Sequence, residues 1–302
     1  MKDSRAENGR QDARSDVSPV RHETVTVTDS PAPVEAPPAR QRARAEARGA
    51  FAQVGDRTEA GRLFETGGLR WRFPRSSRPC EAAIVNTGGG VAGGDSYRVS
   101  LELGEGAEVE ATTPSAERIY RSDGPAAAVA TRLSLAPRAR LCWLPQETLL
   151  FEGARLERRL EAEMSAEASL VIAETLVFGR LAMGESRIDA SLRDSWRLRR
   201  DGRLVFADET RLERTGAALE RKAVGAGARA LATIVAAAPN IEARLPDLRA
   251  ALEAGSGGVE AGASAFDGLI VARLVSPSPS RLRAALIAAI VALGGRKPRL
   301  WA

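Results

Sequence analysis

The chain has 302 residues, enough for one large domain or two modest ones, and a formal net charge of +5 from 44 Lys plus Arg against 39 Asp plus Glu. Nearly all the cations are arginine and aromatics are only 4% of the residues, without the basic runs and interleaved rings of a nucleic-acid surface, so no nucleic-acid partner is expected. Two cysteines, Cys80 and Cys142, make no disulfide framework and fit buried thiols in a reducing compartment; the only histidine, His22, stands far from any apolar pattern, which excludes Cys-His and Ser-His-Asp catalysis in the core.

Residues 1–48 are charged, rich in Ala, Pro, Arg and Ser, and nearly free of large apolar groups. Such a stretch cannot bury enough surface to offset its ordering entropy, so it is expected to be a disordered extension, followed by a single domain over 49–302. Its 9 Arg/Lys and 8 Asp/Glu nearly cancel, so it is no basic arm.

The apolar run AAIV leads into NTGGGVAGGD (86–95), where Gly88, Gly90 and Gly93 stand at the G-x-G-x-x-G spacing of a dinucleotide loop. That loop binds a pyrophosphate only if a helix follows. Here the continuation places Tyr97, Val99, Leu101 and Leu103 on one parity and Arg98, Ser100 and Glu102 on the other, which is a half-buried strand. The segment therefore reads as a strand-turn-strand connection whose glycines allow positive φ and close approach, pinned by Asn86 and Asp95.

Period two recurs to about residue 240. Val129, Thr131, Leu133 and Leu135 alternate with small and polar residues, and Leu156, Leu160, Ala162 and Met164 share a parity with Arg158 while the opposite parity is wholly charged. Ile188, Ala190, Leu192, Trp196 and Leu198 alternate again up to Asp201-Gly202, a hairpin signal. The last sixty residues differ. NIEARLPDLRAALEAG reads as an amphipathic helix, GGVEAGASAFDGLIVARLVS as two strands with a turn, and RLRAALIAAIVAL as a buried helix capped by Ser280 and stopped by Gly294-Gly295. The longest strongly apolar stretch, 284–293, is about half a membrane span, and with no secretory segment recognised the expectation is a soluble, cytoplasmic protein.

Five segments in order carry a family resemblance: NTGGGVAGGD (86–95), TTPSAERIYRS (112–122), WLPQETLLFEGA (143–154), ETLVFGRLAMGE (174–185) and PRLW (298–301). From about residue 42 onward the chain resembles the urease accessory protein D family, also called H. It departs from the family in its long N-terminal extension, in a looser match just before the glycine-rich segment, and in one glycine that replaces an alanine of that motif.

The resemblance implies a mainly β fold, a helix-like stack of β-sheets with two α-helices in the C-terminal region. It implies a non-enzymatic chaperone that works with accessory protein F and the GTPase accessory protein G to insert nickel into apo-urease. Without a core histidine a tight nickel site is not expected, and a route lined by acids and water suits transient passage. Asp95 and Glu174 are the leading candidates, with Glu117, Glu147 and Glu185 below them. Glu174 sits in LVIAETLVF, where a carboxylate needs water or a partner such as Arg118 or Arg180. A different class stays open: a hydrolase on a β scaffold using paired carboxylates such as Glu147 and Glu174.

Overall fold

The computed structural model describes residues 41–74, 79–185, 187–255 and 257–301. His22 and most of the predicted extension lie outside these residues. The chain enters through an antiparallel hairpin, β1 (Arg44–Val54) and β2 (Arg57–Thr66), so the first strand begins inside the 1–48 stretch assigned to the extension. Within that stretch its buried positions are Ala45 and Ala47, and small apolar side chains give too weak a pattern to be recognised.

A short β3 (Leu69–Arg72) pairs with β4 (Cys80–Asn86), after which the chain winds in turns. The first turn holds β5 (Ser96–Leu103), β6 (Glu108–Thr112) and β7 (Glu117–Ile119). The second repeats it with β8 (Ala127–Leu135), β9 (Arg140–Leu144) and β10 (Thr148–Leu150), and the third with β11 (Arg155–Met164) and β12 (Ser169–Phe178). β13 (Ser191–Arg200) and β14 (Arg203–Leu212) close the winding as a hairpin. Its turn is Asp201-Gly202, with φ of 48° and 77°, the positive values that the Asp-Gly pair supplies.

Corresponding strands of successive turns stack in parallel. One sheet has the order β14-β13-β11-β8-β5-β1-β2. After a short helix α1 (Thr215–Glu220), β15 (Ala230–Ala237), helix α2 (Leu245–Ala254), the hairpin β16 (Glu260–Phe266) and β17 (Leu269–Ser276), and helix α3 (Pro279–Ala292) complete the chain. The second sheet then has the order β16-β17-β15-β12-β9-β6-β4-β3, with β7 and β10 alongside the end of β12. The fold is thus mainly β, with α2 and α3 in the C-terminal region as expected. Helix α1 was not foreseen: it is short, and Arg214 at its start has a φ of 56° and offers no side-chain cap.

Two cores follow from this layering. The first lies between the sheets and is filled by the inward parity of every turn, including Leu101, Leu133, Leu156, Leu160 and Leu192. The second lies on the far face of the second sheet, under α2 and α3. β12 belongs to both, sending Leu170, Ile172 and Leu176 to the first and Val171, Ala173 and Val177 to the second. A strand buried on both faces loses the alternation of its neighbours and reads as the continuous apolar run SLVIAETLVF.

Helix α3 buries Leu282, Ala285, Leu286, Ala289 and Ile290, spaced three and four apart on one face. Its cap is Ser278, whose hydroxyl accepts from the Arg281 N–H, and not Ser280, because Pro279 already occupies the first helical turn. Beyond it the closing segment runs back over the second sheet. Trp301 is buried, donates its indole N–H to Thr112 Oγ1 at 3.0 Å, and carries the Arg283 guanidinium over its ring at 5.0 Å. Arg296 bonds Glu81 and Glu110 together, and Arg299 reaches Glu81 at 3.0 Å.

Candidate functional site

Strands β4, β6, β9 and β12 run parallel and adjacent in the second sheet, so their C-terminal ends share one end of the molecule. The four segments NTGGGVAGGD, TTPSAERIYRS, WLPQETLLFEGA and ETLVFGRLAMGE each lie at or continue past one of those ends. Their clustering is a consequence of the winding, in which each turn delivers the next segment beside the last.

The glycine-rich segment forms a turn packed against the second. Gly90, with φ of 150°, leaves only 2.4 Å between an added Cβ and the Tyr120 ring, and Tyr120 donates its hydroxyl to Gly89 O at 2.8 Å. Asn86 Oδ1 accepts from the Gly88 N–H at 2.9 Å. Asp95 is buried, with one carboxylate oxygen accepting from Ala92 N–H and the other from Ala43 N–H, both at 2.8 Å. Asp95 thus ties the turn to the start of the first strand, and no helix follows to make a phosphate cradle.

Behind these loops lies a cavity of about 140 Å³ between the sheets, roomy enough for several water molecules. Its lining runs from exposed Gly89, Pro114 and Ser115 through Glu117 to Glu174 and Arg158. Glu117 accepts from Asn86 Nδ2 at 3.1 and 3.0 Å and from the Arg118 N–H at 3.1 Å. Burial raises the Glu117 carboxyl above its usual value against those opposing bonds. Burial also raises the Tyr97 phenol, helped by the charges of Asp95 and Glu117.

The inner end is a buried ion triad. Arg158, Glu174 and Asp194 are 9%, 5% and 7% exposed. Arg158 Nη1 lies 2.8 Å from Glu174 Oε2, while its Nε and Nη2 donate to the two oxygens of Asp194 at 3.0 and 2.5 Å. Two tryptophans complete the set: Trp143 donates to Glu174 Oε1 at 2.7 Å and Trp196 to Asp194 Oδ1 at 3.1 Å. Burial raises the Glu174 carboxyl, opposed by Arg158 and the Trp143 bond and reinforced by the negative charge of Asp194. Burial works against the Arg158 charge, but the two carboxylates outweigh it and push its value up.

The expected arginine partners of Glu174 are thereby corrected. Arg118 is exposed, and Arg180 pairs instead with Glu185 and stacks 4.0 Å over the Phe151 ring. Glu147 bonds Arg283 Nη1 at 2.8 Å and is not part of the cavity lining, so the structure does not bring it to Glu174 across a shared cleft. Both cysteines are half-buried rather than fully buried, and the Cys142 thiol is raised to about 11 by desolvation and the charge of Glu110, a poor ligand in that state. Among the described residues no three His, Cys, Asp or Glu side chains are grouped to hold a metal ion.

Arg158 and Asp194 were not among the candidate residues. The available signal was parity: each is a charged residue on the apolar face of its strand, Arg158 with Leu156 and Leu160, Asp194 with Leu192 and Trp196.

Comparison with known proteins gives the following. Residues 43–302 match the family model described as UreD urease accessory protein. The chain is 48% identical over 264 residues to a urease accessory protein UreD of Beijerinckia indica, covering 87% of this chain and 98% of that one. It is 49% identical over 271 residues to the UreD of Methylobacterium sp. strain 4-46, covering 87% and 96%. With the UreD of Xanthobacter autotrophicus it shares 47% identity over 265 residues, covering 87% and 91%.

Proposed function

We propose that this chain, which belongs to the UreD urease accessory protein family, serves the maturation of urease by guiding nickel through the cavity between its sheets. Nickel is its cargo and not a resident cofactor. The chain acts as a cytoplasmic chaperone and not as a catalyst, in complex with accessory protein F and the GTPase accessory protein G, and the ion passes on to apo-urease.

One observation carries this reading: a cavity that begins at the family's loops and ends on a carboxylate from the middle of a doubly buried strand. Carboxylate and water oxygens hold nickel less firmly than imidazole or thiolate, which suits a protein that must release the ion. Glu174 is the acid met at the inner end and Glu117 the acid nearer the loops. Asp95, engaged by two backbone N–H groups, holds the glycine turn that forms one wall. Accessory protein F docks, on this reading, against the C-terminal helical layer, where α3 leaves Val291 exposed.

Glu174→Gln and Asp95→Asn keep size and one acceptor oxygen each, set an amide N–H against the second donor, and test the assignment together. Thermal stability is measured for each, with the nickel content of urease matured in its presence. Some loss of stability is expected from the displaced donors, and depleted urease nickel per folded complex is the result the passage reading requires. Lost stability with normal nickel per folded complex would overturn the passage reading and leave both acids as structural residues.

A further inference from the structure

We infer that Asp194 sets the charge of the cavity's inner end and so decides whether a divalent cation can settle beside Glu174. The inference rests on the reading that nickel passes Glu174. Asp194 does not line the cavity; Arg158 stands between them. Its effect is therefore exerted through Arg158, which makes it a positioning residue.

The geometry divides the three contacts of Arg158 unequally. Arg158 and Asp194 are register partners on the adjacent parallel strands β11 and β13, so the backbone ladder itself holds them together, and two bonds join them. Glu174 comes from β12 in the opposite sheet and meets the guanidinium through Nη1 alone. A cation arriving at Glu174 needs one contact to yield, and Arg158 keeps its acceptor when it does.

The charges work in the same direction. Arg158 and Glu174 alone sum to zero, and a divalent ion would approach a guanidinium with nothing to hold it back. Counting the formal charge of Asp194 as well, the trio sums to −1. In a buried setting, where the effective dielectric is far below that of water, one unit of charge at this range governs whether a cation enters.

Equilibrium dialysis of radioactive nickel against the full-length chain tests this, with folding checked by circular dichroism. Glu174→Gln defines the binding that belongs to the cavity. Asp194→Asn is expected to weaken that binding about tenfold or more, equivalent to about 1.4 kcal/mol. The double change Arg158→Gln with Asp194→Asn again leaves a sum of −1, and is expected to restore binding toward that of the unaltered chain. A merely structural Asp194 would give no such recovery, and its absence would overturn the inference. Glu174-dependent binding that is indifferent to Asp194→Asn would also overturn it while leaving the passage reading standing. Nickel binding untouched by Glu174→Gln would sink both. Should Asp194→Asn fail to fold, Arg158→Gln is compared with the double variant, and tighter binding is expected where Asp194 remains; equal binding would count against the inference.

Discussion

Arg158 and Asp194 sit side by side on adjacent parallel strands and share two hydrogen bonds, of 3.0 and 2.5 Å, in a row that continues through Val129 to Tyr97. Each member of that row comes from a different turn of the winding. A charge placed there is buried because its neighbours are, and it is tolerated because the next turn supplies its counter-ion.

Arg158→Ala would leave Glu174 and Asp194 buried without their shared cation. Breaking a buried pair by removing one partner costs about 3–5 kcal/mol. Arg159, the next residue, is 67% exposed in its side chain and pairs with Glu161 at 3.5 Å. Arg159→Ala is therefore expected to leave the melting temperature unchanged, since exposed pairs contribute little. Thermal melts of the two variants side by side check the contrast; similar effects would mean that the triad is not a stabilising unit.

The carboxyl of Glu117 is raised mainly by burial, and so is that of Glu174. A raised folded value means that the folded chain holds the proton more tightly than the unfolded chain. The resulting stability is present in full below the unfolded value of about 4.3 and is lost as pH rises through the folded value. Glu117→Gln is fixed in the neutral form. It should melt higher than the parent at about pH 8 and lose that advantage by about pH 4. Melting curves across that range decide the matter, and a constant offset would remove Glu117 from the pH dependence.

Two glycines of the same turn should respond very differently to alanine. A Cβ on Gly93 would meet Ser122 Oγ at 1.9 Å and Pro125 O at 2.8 Å. At Gly89, with φ of 75°, an added Cβ has nothing within 4 Å. Gly89→Ala thus carries only the backbone strain of the left-handed region, about 1–2 kcal/mol. Gly93→Ala is expected to disrupt the turn, read as a loss of soluble protein or a far lower melting temperature.

Removing residues 280–302 would strip Leu282, Leu286, Ile290 and Trp301 from the second core, so that truncation tests folding before it tests docking. Trp301→Ala alone is expected to cost about 3–5 kcal/mol, the range for a large buried aromatic. Val291→Asp is the cleaner probe of partner contact, because Val291 is 54% exposed. Its melting temperature should match the parent while less accessory protein F co-purifies; full retention of F would place that contact elsewhere.

Much of the fold was legible because strands half-buried on one face alternate: the charged parity of 155–164 marks β11, and Asp201-Gly202 marks the hairpin of β13 and β14. Glu174 was legible as an acid out of place in an apolar run. Its partner was not, since Arg158 lies in the preceding strand but in the opposite sheet, and only the coiling brings them to 2.8 Å. The start of β1 was hidden by composition: Arg44 and Arg48 flank buried alanines, which looks like the charged, Ala-rich stretch before it.

The doubly buried strand β12 also constrains the order in which a growing chain can be completed. Synthesis from the N-terminus delivers every strand of the first sheet by Leu212, so the sandwich between the sheets can close early. The other face of β12, with Val171, Ala173 and Val177, gains its cover only from residues after 240, including α3 near the very end. Throughout that interval a nascent chain on the ribosome displays the part of the second sheet already made, with one uncovered greasy side, the kind of surface on which chains stick to one another. Rare codons or pauses placed between about residues 215 and 280 would lengthen that window, and slower translation there should raise the insoluble fraction without altering a single amino acid.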